Sequence, residues 1–127
     1  MLFQNCLLLV SKALVAKIEL ITVEMTSRIQ HCAKSMQFFV NLKNGQKAVL
    51  DYKIKEGNIL DMKHTFVPPE GRGQGLAEEL VREGFQFAKS NKFQVYPTCS
   101  YVQRYAKEIA TPEEQSLISK MWNKASL

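Results

Sequence analysis

The sequence is poor in cysteine, in long apolar runs and in clustered charge. Its three cysteines, Cys6, Cys32 and Cys99, form no Cys-x-x-Cys pair, so neither a disulfide framework nor a structural zinc site is expected. The longest unbroken apolar run, from Cys6 to Val10, is far shorter than the ~20 residues of a membrane-spanning helix. A chain of 127 residues, 46% hydrophobic and 23% charged, fits one globular domain.

The formal net charge of +5 is not concentrated in any stretch of like charges. Nucleic-acid-binding domains usually carry a basic stripe or an aromatic stacking motif, so we expect no nucleic-acid partner. A mildly basic surface is instead compatible with a small polyanionic ligand.

Residues 1–36 differ from the rest of the chain and are interpreted as an N-terminal extension, which either packs on the domain or is disordered, or else is a targeting segment. Their loose helical pattern is interrupted by Glu19 and Glu24, and no basic residue precedes the apolar stretch, as a secretory signal requires. Arg28 is the only arginine here, whereas mitochondrial presequences are arginine-rich. We expect the folded domain to begin near Met36 and the protein to be cytoplasmic, or mitochondrial if the extension acts as a presequence.

Alternating apolar and polar residues after the extension predict three antiparallel strands in a meander. The first covers residues 37–42 and ends at Asn44-Gly45, a pair typical of a two-residue type I′ turn. The second covers 46–54 and the third 59–67. One phase of the third strand contains Leu60, Met62, His64 and Phe66, which are therefore expected on one face of the sheet.

A glycine-rich turn follows the third strand and leads into an amphipathic helix. Pro68 ends strand pairing, and the turn reads Glu70-Gly71-Arg72-Gly73-Gln74-Gly75. The apolar stripe of the helix consists of Leu76, Ala77, Leu80, Val81, Gly84, Phe85 and Ala88. The first N–H groups of a helix have no intrahelical partner, and glycines let a phosphate approach them. The turn therefore predicts a pyrophosphate site; a tight turn without a ligand is the alternative.

Two common phosphate-binding motifs do not fit this turn. A P-loop requires Gly-Lys followed by Ser or Thr, which the sequence does not contain. A dinucleotide-binding fingerprint requires a third glycine at the position that Glu78 occupies.

A different phosphate-binding loop does match. The turn resembles the Arg/Gln-x-x-Gly-x-Gly/Ala acetyl-CoA loop of the GCN5-related N-acetyltransferase superfamily, in the residues Arg72-Gly73-Gln74-Gly75-Leu76-Ala77. Two flanking motifs extend the resemblance to the small, single-domain members of that family over residues 37–110: Asp61-x-x-His64-Thr65-x-Val67-Pro68 and Pro97-Thr98-Cys99-Ser100-Tyr101-Val102. Gly71 stands where those members often have a bulky residue, and we expect it to loosen the loop.

The resemblance implies a mixed α+β fold: an antiparallel meander, a strand–glycine-rich turn–helix unit, a further strand and C-terminal helices. It also implies acetyl-CoA as cosubstrate, without a metal. Pantetheine would pair with the splayed strand at Thr65, Phe66 and Val67. The pyrophosphate would bind the amides of Arg72, Gly73, Gln74, Gly75, Leu76 and Ala77, with Arg72 adding positive charge. The thioester would lie between this strand and the next one, residues 93–96.

Two reactive side chains flank the expected thioester position. His64 is either a base for the acceptor amine or a core histidine, because it shares its phase with apolar residues. Cys99 is either a thiol that is transiently acetylated or an inert buried thiol. Tyr101 and Tyr105 lie on the short helix that follows, where they either protonate the departing thiolate or only pack; Tyr101 is the better candidate for the functional role.

The tail, residues 111–127, is predicted to form one helix. Thr111-Pro112-Glu113-Glu114 has the pattern of a capping box, and an apolar stripe follows it. That stripe contains Leu117, Ile118, Met121 and Trp122.

Taken together, the sequence predicts an acetyl-CoA-dependent N-acetyltransferase whose acceptor is an amine on a small molecule or a protein. The alternative is a non-catalytic acyl-CoA-binding or protein-interaction module that kept the loop. We expect no membrane partner, and a monomer or weak dimer.

Overall fold

The computed structural model describes residues 28–125, so predictions for residues 1–27 lie outside the described residues. Five strands form one sheet in chain order: β1 (Gln30–Cys32), β2 (Gln37–Asn41), β3 (Lys47–Lys55), β4 (Ile59–Phe66) and β5 (Gln94–Pro97). β1 to β4 are antiparallel neighbours, and β5 is parallel to β4. The helices are α1 (Leu76–Asn91), α2 (Ser100–Glu108), α3 (Pro112–Ser116) and α4 (Lys120–Ala125). The predicted mixed α+β architecture is confirmed.

The sheet begins earlier than the sequence pattern indicated. β1 pairs with β2 from Gln30–Phe39 to Cys32–Gln37, so the described part of the extension, residues 28–36, belongs to the sheet. A strand of three residues is too short to show a measurable alternation, which is why the pattern did not predict it.

One face of the sheet is covered by α1 and α2. The buried residues of α1 are those of the predicted stripe, with the exception of Ala77, which is half-buried. Gly84 allows a close approach to the sheet, because a Cβ at this position would lie 2.7 Å from Met62 Cε. None of the helices in the described residues is long and apolar enough to cross a membrane.

The β2–β3 hairpin is present, but its turn differs from the prediction. Only Gly45 of the Asn44-Gly45 pair has a positive φ, 87°, whereas a type I′ turn requires two. The Leu42 N–H donates to the Gln46 carbonyl at 2.8 Å, which closes a three-residue loop instead.

A bulge on β4 reverses the alternation of its side chains. Asp51 pairs with His64 while the next residue, Tyr52, pairs with Met62, so Lys63 is an extra residue on β4. The predicted common face is therefore wrong beyond Met62.

Past the bulge, the two faces of β4 exchange roles. His64 and Phe66 are exposed, whereas Thr65 pairs with buried Leu50 and shares its helix-covered face. Because alternation is read from residue spacing, one inserted residue moves every later side chain to the other face.

The prediction of a single helix over residues 111–127 is wrong, because the tail forms two short helices. α3 begins with the predicted capping box, but Ile118 then bridges to Val95 of β5. Val95 N–H donates to the Leu117 carbonyl, and Ser119 N–H donates to the Val95 carbonyl, each at 2.8 Å. The edge of β5 offers backbone partners that end the helix, since buried N–H and C=O groups must be paired.

Candidate active site

β5 pairs with only the first half of β4. Their ladder runs from Ile59–Gln94 to Met62–Pro97, and the Cys99 N–H then donates to the Met62 carbonyl at 3.0 Å. Beyond this point the rest of β4, up to Phe66, pairs with β3 alone among the described strands. The splayed edge expected at residues 65–67 is therefore available to hydrogen-bond an extended ligand.

The loop between β4 and α1 forms an anion-binding geometry. Gly73 and Gly75 have positive φ values of 83° and 72°, and a Cβ at either position would point into open space. Gly75 is the N-cap of α1 and supplies no capping side chain. The first N–H groups of the helix are therefore left for an anion to bind. A groove of about 240 Å³ is lined by this loop, the first turn of α1 and Tyr101.

Gly71 does not loosen the loop, contrary to expectation. It is buried, and a Cβ there would lie 3.0 Å from Leu76 Cδ1, 3.1 Å from Leu42 Cδ1 and 3.2 Å from Val67 Cγ1. A bulky side chain has no room here, so the glycine packs the loop tightly against the β2–β3 hairpin.

Arginines engage both carboxylates in the first turn of α1. Arg28 donates two hydrogen bonds to Glu79, at 3.0 and 2.8 Å, and a third to the Gln74 carbonyl at 3.1 Å. Arg82 pairs with Glu78 at 3.0 Å. These pairs reduce the repulsion that two uncompensated carboxylates would exert on an anion in the groove.

Among the residues predicted to bind the pyrophosphate, three have side chains that contact other parts of the protein. Arg72 is exposed and lines the groove, and its Nε donates to the Val67 carbonyl at 3.0 Å. Gln74 is also exposed, and its side chain bonds the Glu70 carbonyl at 3.3 Å. The Leu76 side chain belongs to the core, which leaves only its backbone for a ligand.

Cys99 lies at the N-cap of α2 and is half-buried. Its Sγ lies 3.5 Å from Thr65 Oγ1 on the open part of β4. Burial, the largest single influence, raises the pKa of the Cys99 thiol, but hydrogen bonds from the Thr65 side chain and from the Val102 and Tyr101 N–H groups lower it by more. The net pKa of the thiol is below its ordinary value, which favours the nucleophilic thiolate.

The structure does not bring His64 together with Cys99. His64 precedes Thr65 directly, so alternation places its side chain on the opposite face of the sheet, away from α1. On that face it is the cross-strand neighbour of Asp51, whose carboxylate accepts a hydrogen bond of 2.8 Å from Gln37. His64 is therefore an exposed histidine rather than a core one.

The two tyrosines of α2 have different surroundings. Tyr101 is half-buried in the wall of the groove, and burial followed by the charge of Glu78 raises the pKa of its phenol. Tyr105 is fully buried, stacks on Phe85 with ring centroids 5.4 Å apart, and donates to the Glu114 carboxylate at 3.0 Å. Tyr105 is thus a core residue, and Tyr101 is the phenol that a groove ligand can reach.

Local sequence patterns indicate no role for Arg28, Asp61 or Thr98. Arg28 lies in the N-terminal extension, and Asp61 alternates with apolar neighbours as a solvent-facing residue would. Asp61 accepts a short hydrogen bond from Thr98, 37 positions further along the chain, and no local pattern signals such a contact.

A larger cavity, about 560 Å³, lies between the loop and the β2–β3 hairpin. None of the reactive residues Cys99, His64 or Tyr101 lines it, so its size alone does not make it the active site. Within residues 28–125, no group of three or more His, Cys, Asp or Glu side chains could hold a metal ion.

Comparison with known proteins decides the family. A family model described as GCN5-related N-acetyl-transferase matches residues 37–114. The chain belongs to this family. It is similar to Protein NATD1 of Homo sapiens, at 36% identity over 88 residues, which cover 68% of this chain and 77% of that protein. Protein NATD1 of Danio rerio is 30% identical over 99 residues, covering 77% and 90%.

A solved structure supports the same fold. A GCN5-like protein from Staphylococcus aureus, determined by NMR, superposes on this chain with a TM-score of 0.57 at 21% identity. The match covers 74% of this chain and 91% of the other. The resemblance inferred from the loop and its flanking motifs is therefore confirmed.

Proposed function

We propose that the protein transfers an acetyl group from acetyl-CoA to an amine acceptor. The observation that carries the proposal is one juxtaposition at the same end of the sheet. There a glycine loop that supplies no capping side chain, a strand edge that is unpaired among the described strands and a thiol at a helix N-terminus lie together. Membership of the N-acetyltransferase family supports the same chemistry.

The residues fit the coenzyme part by part. Pantetheine carries amide groups that can pair with the backbone of Thr65, Phe66 and Val67, at the end of β4 where no second strand neighbour lies within residues 28–125. The pyrophosphate suits the N–H groups from Gly73 to Ala77, because a helix N-terminus offers both donors and partial positive charge. The Arg72 N–H already donates to the Pro69 carbonyl at 3.2 Å, so Arg72 contributes the charge of its side chain and not its amide.

Two routes lead from this arrangement to an amide. In the direct route, the amine nitrogen attacks the thioester carbonyl, the C–S bond breaks, and CoA leaves as a thiolate that takes up a proton. In the covalent route, the Cys99 thiolate first displaces the CoA thiolate and forms an S-acetyl group. The amine then attacks that group, forms the N–C bond and returns the thiol.

His64 and Tyr101 have complementary places in either route. His64 lies on the outer face of the sheet next to the opening between β4 and β5, where it can take a proton from an amine that approaches from that side. Tyr101 lines the groove on the helix face and keeps its proton, which suits a donor to the departing thiolate.

The test combines intact mass with release of CoA. Incubation with acetyl-CoA is expected to add one acetyl group to the wild-type protein, at Cys99, and an amine panel is expected to accelerate CoA release. For Cys99→Ala we expect CoA release to fall at least ~100-fold, with acetyl-CoA affinity within ~3-fold of wild type. Cys32→Ala is the matched control, because hydrogen bonds from Ser35 lower the pKa of the Cys32 thiol too.

Each outcome decides between the alternatives. Turnover by Cys99→Ala at the wild-type rate overturns the covalent route and leaves the direct one. Thermal stabilisation by acetyl-CoA of about 2.7 kcal/mol at a hundredfold excess over Kd, without release of CoA by any amine, would instead favour the non-catalytic acyl-CoA-binding module.

A further inference from the structure

Asp61 is a buried carboxylate in the middle of a strand. It lies between Leu60 and Met62, whose side chains face α1, so its own side chain points to the opposite face of the sheet. That face is not covered by α1, yet Asp61 is only 1% exposed. A carboxylate is rarely buried to this degree without partners, which calls for an explanation of what holds it there.

Each oxygen of Asp61 has a different partner. Oδ2 pairs with Lys55 Nζ at 2.8 Å, and its hydrogen bond raises the pKa of Lys55. Oδ1 accepts a short hydrogen bond from Thr98 Oγ1. The first contact joins β4 to the end of β3, and the second joins β4 to the turn that follows β5.

Thr98 lies where β4 and β5 separate. It directly follows Pro97, the last paired residue of β5, and directly precedes Cys99, the N-cap of α2. Two contacts with β4 flank this turn: the Cys99 N–H bonds the Met62 carbonyl, and the Thr98 hydroxyl bonds the Asp61 carboxylate. Apart from the contact of the Cys99 thiol with Thr65, the start of α2 is therefore fixed to β4 by one backbone bond and one side-chain bond.

We propose that Asp61 is a positioning residue, which acts through Thr98 to hold the start of α2 so that the Cys99 thiol lies against Thr65 and the first N–H groups of the helix. The groups that contact this thiol are the hydroxyl and the backbone N–H of Thr65 from β4 and the N–H groups of Tyr101 and Val102 from α2. The importance of this arrangement for catalysis rests on the proposed function. The position of the Cys99 thiol, however, is a property of the protein without acetyl-CoA.

The experiment measures the ionisation of Cys99 in the full chain without acetyl-CoA. The rate of alkylation by iodoacetamide is followed against pH, and peptide mapping separates Cys99 from Cys6 and Cys32. For Thr98→Val we expect the midpoint of the pH dependence of Cys99 alkylation to rise by about one pH unit. Alkylation near neutral pH is then expected to be about tenfold slower. Thr98→Ser keeps the hydroxyl and is expected to retain the wild-type profile.

A second threonine provides the control for a general loss of stability. Thr111 caps α3 by accepting from the Glu114 N–H, so Thr111→Val also loses one hydrogen bond, away from Cys99. Its alkylation profile is expected to match the wild type. If Thr98→Val does not fold, Thr98→Ala removes the same hydroxyl and has the same expected shift.

A wild-type profile in the Thr98 variant, or a shifted one in Thr98→Ser or Thr111→Val, would overturn the positioning role. Neither result depends on whether the protein acetylates an amine. Conversely, an absence of acetyl transfer with the expected alkylation shifts would overturn the proposed function and leave Asp61 as a positioning residue.

Discussion

From Ile59 to Met62, β4 has neighbours on both edges, and all four of its side chains are buried. From Lys63 to Phe66 the same strand pairs with β3 alone among the described strands, and three of its four side chains are exposed. The bulge at Lys63 marks the change from one half to the other.

The comparison teaches how one strand can serve both stability and binding. A strand with two neighbours has its backbone groups satisfied and its side chains packed, so it contributes to the core. An edge that has no neighbour among the described strands keeps backbone donors and acceptors for a ligand, and the glycine loop and α2 lie beside it.

The largest expected difference between the halves is in stability. Leu60 is fully buried in the paired half, and Leu60→Ala is expected to lower the free energy of unfolding by about 2–5 kcal/mol. Phe66 is 45% exposed in the open half, and Phe66→Ala is expected to lower it by less than ~1 kcal/mol. Urea unfolding measures both, and equal losses would contradict the division of β4 into two halves.

The second prediction concerns binding at the end of the open half. Gly73→Glu places bulk and negative charge at the N-terminus of α1, so acetyl-CoA affinity is expected to fall at least ~100-fold by calorimetry. Gly45→Glu is the matched control: Gly45 has a φ of 87° beside the 83° of Gly73, and both positions are open. Both variants carry the same backbone strain, so an equal loss of affinity would show strain rather than the loop as the cause.

The smallest predicted effect is the pH dependence of stability that His31 causes. His31 Nε2 on β1 lies 2.5 Å from Tyr52 Oη, and the His31 ring stacks on Phe38 with ring centroids 4.2 Å apart. Burial lowers the pKa of the His31 imidazole. The unfolded chain, with a histidine pKa of about 6.5, therefore takes up a proton before the folded one. Stability is expected to fall as the pH drops through about 6.5, by well under ~1 kcal/mol because the ring is largely exposed.

Urea unfolding between about pH 7.5 and 5.5 measures the slope of the unfolding free energy against pH. His31→Gln is expected to flatten it. A slope that persists unchanged in His31→Gln would refute the assignment.

Local patterns were sufficient for the features that depend on neighbouring residues. The strands β2 to β4, the stripe of α1 and the capping box of α3 follow from alternation, helical spacing and cap chemistry over a few residues. The same holds for the loop, where glycines at 73 and 75 are needed for positive φ.

Local patterns could not predict the bulge on β4, the division of the tail into two helices or the Asp61–Thr98 hydrogen bond. Lys63 is extra only relative to β3, and the tail stops being helical only because Val95 offers a strand edge to Ile118. Each depends on what a distant segment presents, and no residue spacing encodes that. Sequence alone therefore determined β2 to β4, α1 and the kind of ligand loop. The packed sheet decided which face His64 occupies and what holds Cys99, because those contacts join residues that only folding brings together.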